Sequence, residues 1–162
     1  MKIKHLTMTA AALIISVCTA QAASVEKSVT IAAKPADVWA KIGHFCQIAG
    51  WHPAITKCEL STMDSRVHRT LTLGDGATIL EMQTDHRGAD DKTMNYSYII
   101  HKSPLPIKNY TSFIGVEPDG EGTKVIWRSI FDANGVDDAK AKEVIGGIYD
   151  GGLASIQAMF TN

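Results

Sequence analysis

Residues 136–160 read VDDAKAKEVIGGIYDGGLASIQAMF, and this stretch decides how the rest of the chain must be arranged. Advanced at 100° per residue, Val144, Ile145, Ile148, Tyr149, Leu153, Ile156, Met159 and Phe160 fall within one half of the wheel. That periodicity predicts a long amphipathic helix. Asp137 and Asp138 stand at its start, where acidic side chains complement the positive end of the helix dipole. Gly146-Gly147 and Gly151-Gly152 weaken it by roughly 1 kcal/mol per glycine relative to alanine. Gly152 falls near the middle of the apolar face, where a missing side chain leaves space. A helix with one apolar stripe needs a sheet to cover it.

The preceding sequence supplies that sheet. Residues 55–61, 66–73, 77–87, 93–102, 107–117 and 122–132 all have strand character. Gly74-Asp75-Gly76, Gly88-Ala89-Asp90-Asp91 and Pro118-Asp119-Gly120-Glu121-Gly122 punctuate them as hairpins require. Ser103-Pro104-Leu105-Pro106 differs, because prolines cannot join a hydrogen-bonded ladder, and it reads as an ordered connecting loop. Further back, Val25–Ala33 alternates as a first strand, and Pro35 opens a short helix through Ile42 that Gly43 breaks. Residues 44–49 read as a second short helix before Gly50. The expectation is an α+β fold: a curved, seven-stranded antiparallel sheet around one long C-terminal helix, with two short helices after the first strand. Such a sheet encloses a cavity rather than a solid core.

Residues 1–22 carry a different signal. Met1-Lys2-Ile3-Lys4-His5 is basic, Leu6–Val17 is apolar, and Ala20-Gln21-Ala22 offers small side chains for cleavage, the pattern of a secretory signal peptide. Leu6–Val17 is only 12 residues, too short for a bilayer that demands about 20, so no stable membrane anchor is expected. The reading is a protein delivered to the periplasm or secreted, with residues 23–162 as one domain. That mature chain carries 14 basic against 17 acidic residues, with no basic run of the kind that neutralises phosphates. Nucleic acid is therefore not an expected partner. Cys18 leaves with the signal, so Cys46 and Cys58 remain. In an oxidising compartment they either form a bridge or pack as free thiols. A bridge would close a loop of about a dozen residues and contribute on the order of 3 kcal/mol.

Several local motifs, in order across residues 24–160, resemble the START/Bet v 1-like helix-grip superfamily (SRPBCC), and within it the bacterial polyketide cyclase/dehydrase-like branch. They are Pro35-Ala36-Asp37-Val38-Trp39, Phe45, Trp51-His52-Pro53, Gly76 with Glu81, Tyr96-x-Tyr98, Gly122-Thr123-x-Val125-x-Trp127 and Gly152-Leu153. As a periplasmic member the chain is also similar to small accessory proteins of methanol-oxidation systems, which implies a periplasmic redox enzyme as an alternative partner. Residues 55–116 resemble the pocket region of plant abscisic-acid receptors, where Lys57, Glu81 and Tyr110 match polar pocket positions. Leu73–Ala77 and the 103–106 loop depart from the receptors' gate and latch, so hormone signalling is not implied.

Strand parity bears on the same positions. Met94, Tyr96, Tyr98 and Ile100 share one face, and Val125, Trp127, Ser129 and Phe131 share another; both sets should point at the helix. Parity leaves the orientation of Glu81 open, because Leu80 and Met82 on the other face are apolar too. The candidate ligand-binding residues are Lys57, Glu81, Tyr96, Tyr98, Tyr110, Trp127, Ile145, Tyr149 and Gly152, with Lys57, Glu81 and Tyr110 expected to form one polar spot. His44, His52, His68, His86 and His101 show no metal-ligand spacing, and no cysteine pair has x₂ spacing, so neither a metal nor a cofactor is expected. There is no Gly-x-Ser-x-Gly elbow and no phosphate loop. His52 reads as capping or packing a turn. These residues suit a carrier of a hydrophobic, in one version carboxylated, small molecule, lipids included. The alternatives are a cyclase or dehydratase using Glu81 or a pocket tyrosine for proton transfer, and an accessory of a periplasmic redox enzyme.

Overall fold

A computed structural model describes residues 22–88 and 93–161. The segment read as a signal peptide lies outside the described residues, except for Ala22, as does most of the Gly88–Asp91 turn. The elements are β1 (Ala23–Ile31), α1 (Pro35–Ile42), α2 (Ile48–Trp51), β2 (Ile55–Met63), β3 (Arg66–Leu73), β4 (Thr78–Arg87), β5 (Met94–Lys102), β6 (Ile107–Asp119), β7 (Gly122–Ala133) and α3 (Asp138–Ala158). They form one antiparallel seven-stranded sheet in the order β1-β7-β6-β5-β4-β3-β2. Six strands follow one another as neighbours, and β1 closes on the far side of β7. This is the helix-grip architecture.

Local chemistry explains most element ends. Asp137 caps α3, its carboxylate accepting the Lys140 N–H at 2.7 Å, a bond that typically contributes about 1 kcal/mol. The β2–β3 hairpin turns through Asp64 and Ser65, both at positive φ (50° and 60°), which matches the twist of its strands. The β6–β7 hairpin is tighter than its five-residue punctuation suggests: Pro118 pairs with Thr123 inside the ladder, and Gly120 takes the turn at φ 61°. Irregular register within β2–β3, β4–β5 and β6–β7 bends the sheet around α3.

Two expectations need correction. The second short helix is Ile48–Trp51, not 44–49, and it runs through Gly50. Residues 44–47 instead form a turn, because the Gln47 amide accepts from His44 N–H at 2.9 Å and donates to Ala40 O at 3.0 Å. The long helix ends at Ala158, so Met159 is 42 % exposed rather than part of the apolar face.

Cys46 and Cys58 form a disulfide with a Cα–Cα distance of 5.5 Å. It ties the turn before α2 to the edge strand β2, the strand with the most exposed flank. The core lies between α3 and the concave face of the sheet. Tyr96, Tyr98, Val125, Trp127 and Phe131 from the sheet are buried there with Ile145, Tyr149, Leu153 and Ile156 from α3.

Candidate functional site

A partly open cavity of about 290 Å³ sits between α3, α2 and strands β2 to β7. Its walls are mainly aliphatic, with Ile48, Ile55, Leu71, Ile79 and Ile148 among them. Six side chains give it polar character: His52, Glu81, Tyr98, Tyr110, Trp127 and Tyr149. Of the residues singled out from sequence, Glu81, Tyr98, Tyr110, Trp127, Ile145 and Tyr149 line the cavity together. Lys57, Tyr96 and Gly152 do not.

Each of those three has a physical reason. Lys57 sits on the outer face of the edge strand, 60 % exposed, with its ammonium 3.0 Å from Glu59. A lysine there keeps its charge hydrated, so the expected Lys57–Glu81–Tyr110 polar spot does not form. Tyr96 is buried behind the lining, packed against Trp39 and Phe45. Gly152 gives no room to a ligand, because protein rings already take the space. A Cβ there would lie 2.8 Å from both His52 Cδ2 and Trp127 Cζ3, and 3.1 Å from Trp51 Cζ3.

The partner of Glu81 is Arg69, which is fully buried. Register places the two opposite each other on β3 and β4, and Arg69 Nε donates to Glu81 Oε2 at 2.5 Å. Arg69 Nη1 donates to the carbonyl of Phe45, and the guanidinium lies 3.9 Å from the Phe45 ring centroid and 5.0 Å from that of Tyr98. Nη2 finds no partner among the described residues. Burial pushes the Glu81 carboxyl above the ordinary carboxylate range, and Arg69 opposes that rise. The guanidinium keeps its proton, since Glu81 offsets the cost of burying it. Protonating Glu81 would leave a buried cation uncompensated, so the carboxylate is the form this geometry holds. Strand parity could have found Arg69, because it shares a face with Leu71 and Leu73; its residue type argued for the surface.

A second cluster lies across the cavity. Trp127 Nε1–H points at both Tyr98 Oη (3.1 Å) and Ser112 Oγ (3.2 Å). Ser112 donates its own proton to the carbonyl of Arg128 at 2.9 Å, so it must accept from Tyr149, 3.2 Å away. Tyr149 therefore accepts from Tyr110, whose hydroxyl it also meets. Donor counting gives this chain one sense, and the Tyr98 proton is left without a partner among the described residues. Burial pushes Tyr98 and Tyr110 well above the ordinary tyrosine range and also raises Tyr149, so all three remain neutral. Trp127 and Tyr149 stack at 4.3 Å, fixing the middle of α3 against β7.

His52 forms part of the rim instead of merely packing a turn. Its Nδ1 accepts from Ala54 N–H at 3.2 Å, which requires Nε2 to carry the proton donated to Ile148 O at 3.0 Å. The neutral ring thus latches the α2–β2 junction to α3. Burial lowers its pKa below the usual 6.5, the Ile148 bond opposes that, and Arg69 adds to the lowering. Among the described residues no group of three His, Cys, Asp or Glu side chains could hold a metal ion, and no helix could cross a membrane.

Sheet order, gripped helix and the cavity between them define a helix-grip protein. Residues 22–161 match the family described as polyketide cyclase/dehydrase and lipid transport, and the chain belongs to that family. Among solved structures, the protein XoxI from Bacillus cereus is 33 % identical, with a TM-score of 0.77, covering 85 % of this chain and 95 % of that one. An uncharacterised protein from Bacillus thuringiensis is 32 % identical, with a TM-score of 0.77, covering 86 % of this chain and all (100 %) of its own. The Zhui aromatase/cyclase from Streptomyces sp. R1128 shares the fold at 16 % identity and a TM-score of 0.64, covering 86 % of this chain and 93 % of that one. No curated protein matches the chain.

Proposed function

We propose that this protein is exported and binds a small hydrophobic molecule in the cavity beneath α3, in the periplasm or outside the cell. The observation that carries this reading is a largely aliphatic cavity under α3 whose few polar groups are mostly engaged with one another. Such a site asks a ligand for shape and for one or two polar contacts. Family membership supports a hydrophobic ligand. The Cys46–Cys58 bridge supports an oxidising compartment, where disulfides persist. Lys57 is exposed beside Glu59 and so offers a carboxylated ligand no anchor.

Catalysis is the weaker reading. Glu81 is committed to Arg69, and burial holds the tyrosines neutral, so neither the carboxylate nor a pocket tyrosine stands ready to move a proton at modest cost. The test is native mass spectrometry of protein purified from periplasm, followed by organic extraction. A bound apolar molecule, lost in Trp127→Ala, is expected, together with a mature mass that begins at Ala23. A protein recovered empty, with no extractable molecule, would overturn carriage and favour an accessory role beside a periplasmic redox enzyme. If a bound molecule is converted, Glu81→Gln reports on catalysis: loss of turnover with binding retained would replace carriage by an enzyme.

A further inference from the structure

The cavity is small and its open valences are specific. At about 290 Å³ it has room for roughly ten non-hydrogen atoms if each takes about a water's share of space, near 30 Å³. Polarity then narrows the choice further. Glu81 faces the cavity with Oε2 held by Arg69, while Oε1 takes no hydrogen bond among the described residues. Tyr98 accepts from Trp127 and keeps its own proton free. These two residues are diagonal neighbours on β4 and β5, since Glu81 pairs with Ile100, which puts them about 7–8 Å apart.

Resting on the ligand-binding reading above, we infer that the cavity selects a neutral, single-ring-sized molecule bearing one hydroxyl, which donates to Glu81 Oε1 and accepts from Tyr98. A hydroxyl meets both demands with one oxygen. A carboxylate would set a second anion beside Glu81 and has no lysine to meet it, because Lys57 is on the outer face. An ammonium would suit Glu81 but would add a second cation to a site where Arg69 already balances that carboxylate, and it would leave the Tyr98 proton unused. A plain hydrocarbon would fill the space and leave Glu81 Oε1 and the Tyr98 hydroxyl dry and unpaired.

Isothermal titration of the extracted, ligand-free protein with four probes of matched shape tests this. The probes are 4-propylphenol, propylbenzene, 4-propylbenzoate and 4-propylbenzylamine. The phenol is expected to bind about tenfold or more tightly than the other three, the scale of one hydrogen bond to a charged group. Tyr98→Phe, in which Trp127 keeps Ser112 as acceptor, should reduce that preference by weakening the phenol relative to propylbenzene. The double variant Arg69→Met/Glu81→Leu removes the ion pair as a unit and should abolish the preference. Binding of the phenol no tighter than of the hydrocarbon, the benzoate or the amine would overturn the hydroxyl selection while leaving hydrophobic binding intact. Failure of all four to bind would overturn both readings.

Discussion

Two polar clusters share one apolar interior, and they are built on different chemistry. Arg69 and Glu81 meet as full charges, sealed by Phe45 and Tyr98. Tyr110, Tyr149, Ser112 and Trp127 meet as neutral donors and acceptors passing hydrogen bonds from α3 to the sheet. A neutral network can lose one member at the cost of a hydrogen bond. An ion pair cannot, because whichever charge remains has no water to hydrate it. The charged cluster should therefore act as a stringent constraint on the fold, and the neutral one as a tolerant lining.

Single and paired substitutions separate these behaviours. Arg69→Met should destabilise the protein by about 3–5 kcal/mol, measured by urea unfolding, because Glu81 is left buried and unpaired. Adding Glu81→Leu should return most of that loss; a double variant as unstable as Arg69→Met would show that packing, not charge, governs the site. Gly152→Ala lies at the seam near the neutral cluster and should cost about 1–3 kcal/mol, since the rings of His52, Trp51 and Trp127 must yield to the new methyl group. Tyr110→Phe should cost only about 1 kcal/mol in the same assay, with Tyr149 still bonded to Ser112.

The His52 latch tests the comparison through pH. The folded pKa is depressed, so the folded state binds fewer protons than the unfolded chain wherever the two differ. Stability from this residue is present in full above the unfolded value near 6.5 and declines as pH falls through it. A thermal melting series between pH 8 and 5 should show that decline, and His52→Gln should flatten it. The smallest effect belongs to Lys57→Ala, expected within about 0.5 kcal/mol because an exposed pair with Glu59 contributes little. It should also leave binding of any probe unchanged; a loss of affinity would return Lys57 to the site.

Much of this site was legible in the sequence, and what was not has a common cause. Period-two parity placed Tyr98 and Trp127 inward, and the helical period did the same for Ile145 and Tyr149. Glu81 was ambiguous, because apolar residues flank it on both faces of β4, and only pairing with β3 resolved it. Arg69 was passed over on residue type, although parity put it in line with Leu71 and Leu73, and His52 was read only as capping or packing a turn. Lys57 was misplaced because it was carried over from the resemblance to the receptors' pocket, whereas here it stands exposed on the edge strand beside Glu59.

The sequence by itself determined the order of elements, the hairpin turns and the helix that the sheet must grip, because backbone preference and hydrophobic period are local properties. It also fixed which cysteines could pair within residues 23–162, there being two. Tertiary structure alone decided that they do pair, that Arg69 rather than Lys57 answers Glu81, and that protein rings fill the space beside Gly152. Those outcomes depend on which strand lies opposite which and on how much space is left between them. No local period carries that information.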